Sequence, residues 1–358
     1  VLSKDGWLKE LSQPSFAGDL SGEYIMSAYF IRRILWLFPV LFVVALITFS
    51  LMHAAPGGPW DRDLSSRQVD AGTQKVLNAY YGLDKPLWRQ FTAYVFGDVS
   101  STTDKFVCGL VCGNLGPSYR VRGSTVQDIL FKPPKGKGFE YSRFGYSLRL
   151  GLISLVFAIV LGIPAGIFSA LKQNSLVDYL SGFISSVGIS IPSFVMAIFM
   201  IIIFATTLHW VSVVPKSWDE AKAWVLPAAV LGFGTLAFAT RLTRASMLEV
   251  LRQDYIRTAR AKGLHENIVV WRHMLRNALI PVVTILGPAL AGLVTGSFII
   301  ETMFSFPGMG RAYVTAISQR DYSMILGTTL LYVLMVSLAN LSVDFLYVII
   351  DPRIRLEE

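Results

Sequence analysis

Residues 150–171 read LGLISLVFAIVLGIPAGIFSAL, and this stretch decides the fold class of the chain. It holds twenty-two residues without one Asp, Glu, Lys or Arg, and about 20 apolar residues let a helix cross the hydrocarbon core of a bilayer. The composition agrees, because 53% of the 358 residues are hydrophobic and only 16% are charged, against about 25% charged in a soluble domain. These proportions exclude an ordinary soluble enzyme and an intrinsically disordered chain.

Five more charge-free stretches accompany it, so the sequence predicts an all-α integral membrane protein with six transmembrane helices. The third stretch is longer than one crossing requires, which predicts tilt or an interfacial end. The six stretches are residues 34–52, 150–171, 179–208, 223–240, 277–300 and 322–343. The predicted domains are an N-terminal extension (1–28), helix 1 (29–52), an insertion domain between helices 1 and 2 (53–145), a core of helices 2 to 6 (146–350) and a tail (351–358).

The distribution of charge indicates the orientation in the membrane. A net charge of +8 would suggest a nucleic acid partner in a soluble protein, but between residues 241 and 276 eight Lys and Arg residues face only three acidic residues. By the positive-inside rule this segment is cytoplasmic. Both termini are then cytoplasmic, and residues 53–145 form an extracytoplasmic domain. We therefore expect these basic residues to lie near membrane lipid, and we expect no nucleic acid partner.

The two cysteines of the chain, Cys108 and Cys112, lie in the predicted extracytoplasmic domain, where a disulfide can form. Four residues apart on a regular helix, their geometry would be poor for a bridge. The sequence leaves their pairing open. Two cysteines without histidine partners are weak evidence for a zinc site.

The basic segment has the periodicity of a helix, unlike the other loops. Leu248, Leu251, Tyr255 and Ala259 recur every three or four residues and predict one apolar helix face. Gly263 follows basic residues and predicts a helix end. The segment is therefore interpreted as a helix-turn-helix projection that docks on a cytoplasmic partner. An amphipathic connector resting on lipid headgroups is the alternative.

The run at residues 255–264, YIRTARAKGL, resembles the EAA loop of ATP-binding-cassette importer permeases. It is most similar to the branch that imports dipeptides and oligopeptides, and within it to the B-type subunits. Further motifs of that branch follow in the same order between residues 29 and 355. They include AAPGGP (54–59), NLGPSY (114–119), LKQN (171–174), IPSF (191–194), FPGMG (306–310), RDYS (320–323) and IDPR (350–353).

The resemblance implies a type I permease fold and a transporter subunit, not an enzyme, that forms half of a peptide pathway. The implied partners are a second homologous permease subunit in a heterodimer, two cytoplasmic ATPase subunits and an extracytoplasmic peptide-binding protein. ATP and Mg would be bound by the ATPase subunits, with no cofactor in this chain, and the location would be the inner membrane of a prokaryote. A coupling loop at residues 246–280 would contact the ATPase through Tyr255, Arg257, Thr258, Ala259, Arg260, Ala261, Lys262, Gly263, Leu264 and Trp271.

The sequence departs from the general family formula within this loop. Arg257 stands where the formula has Glu, and Thr258 and Ala259 stand at the positions of its two alanines. The peptide branch shares this departure. Residues 132–141 and the N-terminal extension lie outside the pattern, and the resemblance gives them no role.

Residues 306–310, FPGMG, place a proline and two glycines beside a membrane helix. Irregular backbone is tolerated there only within protein or at water, so we expect a re-entrant turn at the outer mouth, in contact with a binding protein. Glu301, which precedes this run, is expected at the outer membrane interface, with a packing, capping or gating role. The candidates at this mouth are Glu301, Phe306, Pro307, Gly308 and Gly310.

Two polar residues one helical turn apart, Asn340 and Asp344, are candidates for contacts between helices. The chain has no GxxxxGK[ST] loop, so we do not expect it to bind ATP. A permease for nickel or another small solute of the same family remains an alternative. An intramembrane enzyme is the weakest alternative, because paired catalytic groups are not evident within the predicted spans.

Overall fold

The computed structural model describes residues 17–60, 70–99, 104–294 and 297–350. The predicted tail and the first sixteen residues of the predicted extension lie outside the described residues. The helices are α1 (Ala17–Ala54), α2 (Ala71–Tyr81), α3 (Leu87–Phe96), α4 (Val126–Phe131), α5 (Arg143–Leu171), α6 (Leu176–Ser190), α7 (Ser193–Met200), α8 (Ala221–Leu251), α9 (Asp254–Ala261), α10 (Glu266–Ile268), α11 (Leu275–Ala278), α12 (Ile280–Val294), α13 (Phe298–Met303), α14 (Met309–Gln319) and α15 (Tyr322–Ile350).

Several shorter elements complete this list. Two three-residue strands, β1 (Gly97–Val99) and β2 (Phe106–Cys108), pair antiparallel, with Asp98 opposite Val107. Single 3-10 turns occupy Leu110–Cys112 and Phe139–Tyr141, and π-helical turns extend α7 over Ile201–Thr207 and join α10 to α11 over Val269–Met274. The architecture is therefore helical, as predicted, with one small hairpin between α3 and α4.

Four helices of the described chain are long and apolar enough to cross a membrane, and the number rises to six if each of two bent helix pairs counts as one span. The four are Ile31–Ala54, Arg143–Leu171, Ala221–Leu251 and Tyr322–Asp344. The bent pairs are Leu176–Ser190 with Ser193–Thr207 and Glu266–Ala278 with Ile280–Leu290. Both pairs depart from the straight crossings that the charge-free stretches suggested.

The third predicted span, residues 179–208, is in fact two helices that meet at 117°. Ile191 is extended and Pro192 precedes the first residue of α7. Proline disfavours the helical conformation of the residue before it and has no N–H to donate, which ends α6. The excess length therefore reflects a break and not a tilt.

The fifth predicted span, residues 277–300, is also divided. It begins with a bend of 47° between Ala278 and Ile280, and α12 ends at Val294 before α13 starts at Phe298. α1, by contrast, runs unbroken from Ala17, so it begins before the predicted boundary between residues 28 and 29.

α5 and α8 form the centre of the bundle and approach closely at glycines. A Cβ added at Gly166 would lie 2.6 Å from the carbonyl oxygen of Thr240, and one at Gly232 would lie 2.5 Å from that of Ser154. Small residues let membrane helices pack backbone against backbone. Substitution at either glycine would therefore force the two helices apart.

The segment between α1 and α5 is fastened to the start of α15 by Asp321, which is 3% exposed. Its carboxylate accepts hydrogen bonds from the Ser118 hydroxyl at 2.5 Å and the Tyr119 N–H at 3.1 Å. The neighbouring Arg120 donates to the carbonyl oxygen of Pro59 at 2.6 Å. Three motifs far apart in sequence, AAPGGP, NLGPSY and RDYS, thus meet at one place.

Cys108 and Cys112 are joined by a disulfide, with 5.9 Å between their Cα atoms. The geometry anticipated for a regular helix does not apply, because Cys108 ends β2 and Cys112 ends a 3-10 turn, with Gly109 extended between them. This Cα separation lies within the range of disulfides.

Candidate functional site

The predicted helix-turn-helix projection occupies residues 254–278, here called the α9–α11 segment. α9 ends at Ala261, and Gly263 adopts a φ of 76°, which favours glycine. The side chain of Arg260 crosses this turn and donates to both carboxylate oxygens of Glu266, at 3.1 and 2.5 Å. This contact raises the pKa of Arg260. An ion pair therefore bridges the left-handed turn between α9 and the chain that follows.

One face of α9 is buried against the bundle. Ile256 is 0% and Ala259 6% exposed, and they pack with Met247 of α8, Ile167 of α5 and Met274. The predicted apolar face is therefore right at Ala259 but wrong at Tyr255, which is 40% exposed and whose hydroxyl accepts from the Asn277 amide at 2.8 Å. The predicted face does not continue to Tyr255, because α8 ends at Leu251 and α9 begins at Asp254, with Gln253 extended between them.

Nine of the ten residues predicted to contact the ATPase are exposed, and only Ala259 is buried. Trp271 is 67% exposed, although an indole of this size is usually buried. Leu264 and Ile268 of the same segment are also exposed. The exposed residues are Tyr255, Arg257, Thr258, Arg260, Ala261, Lys262, Gly263, Leu264 and Trp271. The segment thus presents a basic surface with apolar patches while its opposite face is anchored.

A partly buried ion pair between α6 and α8 is not apparent from the sequence. Asp178, 6% exposed at its side chain, accepts from Arg244 Nε at 2.5 Å and from Arg244 Nη2 at 2.8 Å. The Ser169 hydroxyl donates to the same carboxylate at 2.6 Å. The three residues come from α5, α6 and α8, so the pair joins three helices. The signal that the sequence offers for this pair is Asp178, an acid in the first turn of an apolar helix, whereas Arg244 alone indicates only the topology.

The predicted re-entrant turn packs around the carboxylate of Glu301, whose side chain is fully buried within the protein. Its carboxylate accepts from the Ser147 hydroxyl of α5 at 2.8 Å and from the N–H groups of Gly310 and Arg311 at 2.8 and 3.2 Å. These N–H groups open α14. Glu301 therefore caps α14 and ties residues 304–310, here called the glycine turn, to α5.

Both glycines of the glycine turn make room for this carboxylate. A Cβ at Gly308 would lie 2.3 Å from Glu301 Oε2, and one at Gly310 would lie 2.9 Å from the same atom. Burial raises the pKa of Glu301 to about 7, outweighing the lowering by its three donors. Glu301 lies outside the candidate spanning helices, and its environment favours a proton near neutral pH.

Phe306 of the glycine turn is fully buried in a cluster of large rings, here called the aromatic box. Its ring centroid lies 4.6 Å from that of Trp218, 5.1 Å from Trp224 and 5.7 Å from Tyr146, each in an edge-to-face arrangement. Such geometry is favoured by the ring quadrupoles. Pro307 continues the turn, and the box holds it against α5 and α8.

The two candidate packing residues of α15 do not pair with each other. Asp344 forms an ion pair with Arg33 of α1, while Asn340 is exposed. The polar contact therefore links the first and last long helices. Over the residues that the structure describes, no group of three or more His, Cys, Asp or Glu side chains is arranged to hold a metal ion.

Two family models match the chain. Residues 162–356 match the binding-protein-dependent transport system inner membrane component, and residues 26–136 match the N-terminal membrane component of binding-protein-dependent transport systems. The first match covers the bundle from the second half of α5 onward, including the α9–α11 segment and the glycine turn. The second covers α1 from residue 26 and most of the segment before α5.

Curated relatives are similar over nearly their whole length. The dipeptide transport system permease protein DppB of Bacillus subtilis is 38% identical over 93% of this chain and 99% of its own. The oligopeptide transport system permease protein OppB of Haemophilus influenzae is 38% identical over 92% of this chain and 100% of its own. A solved structure of the MetNI methionine ABC transporter is 20% identical, covers 58% of this chain and 94% of its own, and has a TM-score of 0.47.

Proposed function

We propose, from the premise that this chain belongs to the family of binding-protein-dependent transport system inner membrane components, that it is a permease subunit of an ATP-driven peptide importer. Members of this family are membrane components of transporters and not enzymes. This family membership also supports the type I permease fold that the sequence predicts. The proposed substrates are dipeptides or oligopeptides, because relatives with the corresponding printed names match nearly the full chain.

The assembly proposed for this chain has four further parts. A second homologous permease subunit would complete the pathway as a heterodimer, and two cytoplasmic ATPase subunits would bind ATP and Mg. An extracytoplasmic peptide-binding protein would deliver the peptide. The chain would lie in the inner membrane of a prokaryote with both termini in the cytoplasm, as the basic segment at residues 241–276 favours.

The α9–α11 segment is proposed as the ATPase-docking surface, and the single observation that supports this role best is its two-sided construction. Its basic and apolar surface residues face outward, whereas Ile256 and Ala259 are locked into the cluster with α5 and α8. A partner that pulls on the exposed side would therefore move the buried side as one body. The Asp178–Arg244 pair would pass that movement to α6. Alternating access by such rocking of packed helices is a known form of domain motion.

Reconstituted transport of a labelled dipeptide tests this function, with Gly263→Asp as the decisive variant. A Cβ at Gly263 meets nothing within 4 Å, so the new carboxylate would project from the docking surface. We expect peptide uptake and peptide-stimulated ATP hydrolysis to fall at least about tenfold, while the variant still inserts and folds.

Gly123→Asp is the matched control. Gly123 also has a φ of 75° and open space around it, but it lies between α3 and α4. Any effect of backbone strain is therefore shared, and only the location differs. Normal uptake by Gly263→Asp, or equal losses in both variants, would contradict the docking role. Competition by nickel ions instead of unlabelled peptide would contradict the peptide assignment.

A further inference from the structure

α3 lies in the predicted extracytoplasmic domain, yet it packs against the sides of two membrane helices. The ring of Phe91 lies between two rings of α1, with its centroid 5.7 Å from that of Phe42 and 5.3 Å from that of Phe49. Ala45, which lies between these two residues in the chain, is 0% exposed in the same cluster. α3 therefore lies alongside α1 at the level of Ala45.

The depth of this contact follows from the rise of a helix, about 1.5 Å per residue. Ala45 comes nine residues before the end of α1 at Ala54, which places it about 14 Å below that end. The same cluster contains Leu330 of α15, eight residues after that helix starts at Tyr322, which gives about 12 Å. Both helices carry candidate membrane spans. Since the hydrocarbon of one leaflet is about 15 Å thick, the buried face of α3 lies at the level of a leaflet.

The other face of α3 is exposed and carries large apolar side chains. Trp88, Thr92 and Phe96 recur every four residues on this face, and Trp88 and Phe96 are 69% and 59% exposed. The Thr92 hydroxyl donates to the carbonyl oxygen of Arg89 at 3.1 Å. This hydroxyl therefore has an acceptor within its own helix and does not require water.

The hairpin of β1 and β2 extends this exposed face at the end of α3. Val99 and Phe106 stand opposite each other in the hairpin and are 50% and 64% exposed. The Cζ atom of Phe106 lies 2.9 Å from where a Cβ on Gly97 would stand, so its ring folds back to the end of α3. Trp88, Phe96, Val99 and Phe106 are here called the α3 patch. Exposed clusters of large apolar side chains mark contact with a membrane or with another protein.

Charged side chains accompany the α3 patch, and cations outnumber acids among them. Lys85 Nζ lies 2.6 Å and Arg89 Nε 4.0 Å from the same carboxylate oxygen of Asp98. Long basic side chains can lay their stems on apolar surface while their charged ends reach water or headgroups. An apolar face with basic residues beside it is typical of a helix that lies in the membrane interface.

We propose that the α3 patch lies in the outer leaflet of the membrane and contacts phospholipid acyl chains. The occupant is lipid because the patch continues the surface of α1, in whose apolar stretch only 6% of the residues are buried. Side chains at the level of Ala45 have the bilayer, and not water, on their open side, and tryptophan is enriched where this environment meets the headgroups. α3 thereby anchors the segment between α1 and α5 to the membrane. The inference uses the membrane fold and the proposed orientation, but not the identity of the transported solute.

Nitroxide labels on single cysteines test this anchor in the complete transporter, reconstituted in phosphatidylcholine–phosphatidylglycerol nanodiscs with cysteine-free partner subunits. The two cysteines of this chain are bonded to each other, so an introduced cysteine is its only free thiol. Trp88→Cys and Phe96→Cys probe the α3 patch. The readout is the ratio of collisions with molecular oxygen, which concentrates in the bilayer, to collisions with a water-soluble nickel chelate. We expect this ratio at both positions to exceed that of a water-exposed control by at least about threefold.

Val121→Cys is the matched water-exposed control. Val121 is also an exposed apolar residue, at 49%, but it follows Arg120, whose Nε donates to the carbonyl oxygen of Gln319 before the start of α15. Leu46→Cys, on the 43% exposed Leu46 of α1, is the bilayer control. Its ratio must exceed that of Val121→Cys, which shows that the reconstituted chain spans the membrane.

The labels on α3 can give three results. Ratios like that of Leu46→Cys, or between the two controls and at least about threefold above Val121→Cys, would support the anchor. Ratios like that of Val121→Cys would overturn it, because the patch would then face water. Labels shielded from both reagents would also overturn it, because a protein partner would then cover the patch. These ratios do not depend on uptake, so a failure of peptide transport is a separate result.

Discussion

Gly308→Ala is expected to break the contact that ties the glycine turn to α5. The backbone of Gly308 has a φ of −86°, which alanine adopts freely, so any effect comes from the added methyl group. That group would lie 2.3 Å from Glu301 Oε2 and 2.5 Å from Ser147 Oγ. The buried carboxylate must then move by about 1 Å to restore an ordinary contact distance.

The magnitude follows from the hydrogen bonds that this movement breaks. The carboxylate accepts three, from Ser147, Gly310 and Arg311, between 2.8 and 3.2 Å. At pH 8, above the pKa of about 7, the carboxylate is ionised, and a hydrogen bond to a charged group contributes about 1.5–3 kcal/mol. Losing two of them should cost about 3–6 kcal/mol, which for a chain of this size corresponds to a fall of at least about 5 °C in the unfolding midpoint.

Thermal unfolding of the purified protein measures this effect, with Gly182→Ala as the control. Gly182 lies on an exposed face of α6 with nothing within 4 Å of an added Cβ. Alanine there should leave stability unchanged or raise it by up to about 1 kcal/mol. A double-mutant cycle with Glu301→Ala should show that Gly308→Ala costs less once the carboxylate is absent. An unchanged midpoint in Gly308→Ala would refute the reasoning.

Two further predictions concern charge. Burial raises the pKa of Glu301 from 4.5 to about 7, so the stability that its proton contributes is complete below pH 4.5 and is lost as the pH rises through 7. The unfolding temperature should therefore decrease as the pH is raised from 5 to 8, and Glu301→Gln should flatten this dependence. An equally steep curve in the variant would contradict the role of Glu301. Asp178→Asn leaves the charge of Arg244 unpaired and should cost about 2–4 kcal/mol. Adding Arg244→Gln to this variant should restore part of the lost free energy of unfolding. Purely additive losses in the double variant would argue against a direct ion pair.

The sequence by itself determined the class of this protein. Charge-free stretches such as residues 150–171 identify membrane helices, because a helix crosses a bilayer only if its side chains are apolar. The run at residues 255–264 and the ordered motifs identified the family that the comparisons then gave. Gly263 was predicted as a helix end from its neighbours alone, and it takes a left-handed φ. These features are local, so they can be read from residues close together in the chain.

Only the tertiary structure decided which residues meet. The sequence shows Glu301 only as an acid near the end of a predicted span, whereas its donors come from Ser147, 154 positions earlier, and from the start of α14. Arg149 could not be distinguished from any other basic residue until rings from three parts of the chain enclosed it. The environment of a polar group depends on contacts between helices distant in sequence. Periodicity and charge therefore predict where a helix lies, but not what its polar side chains touch.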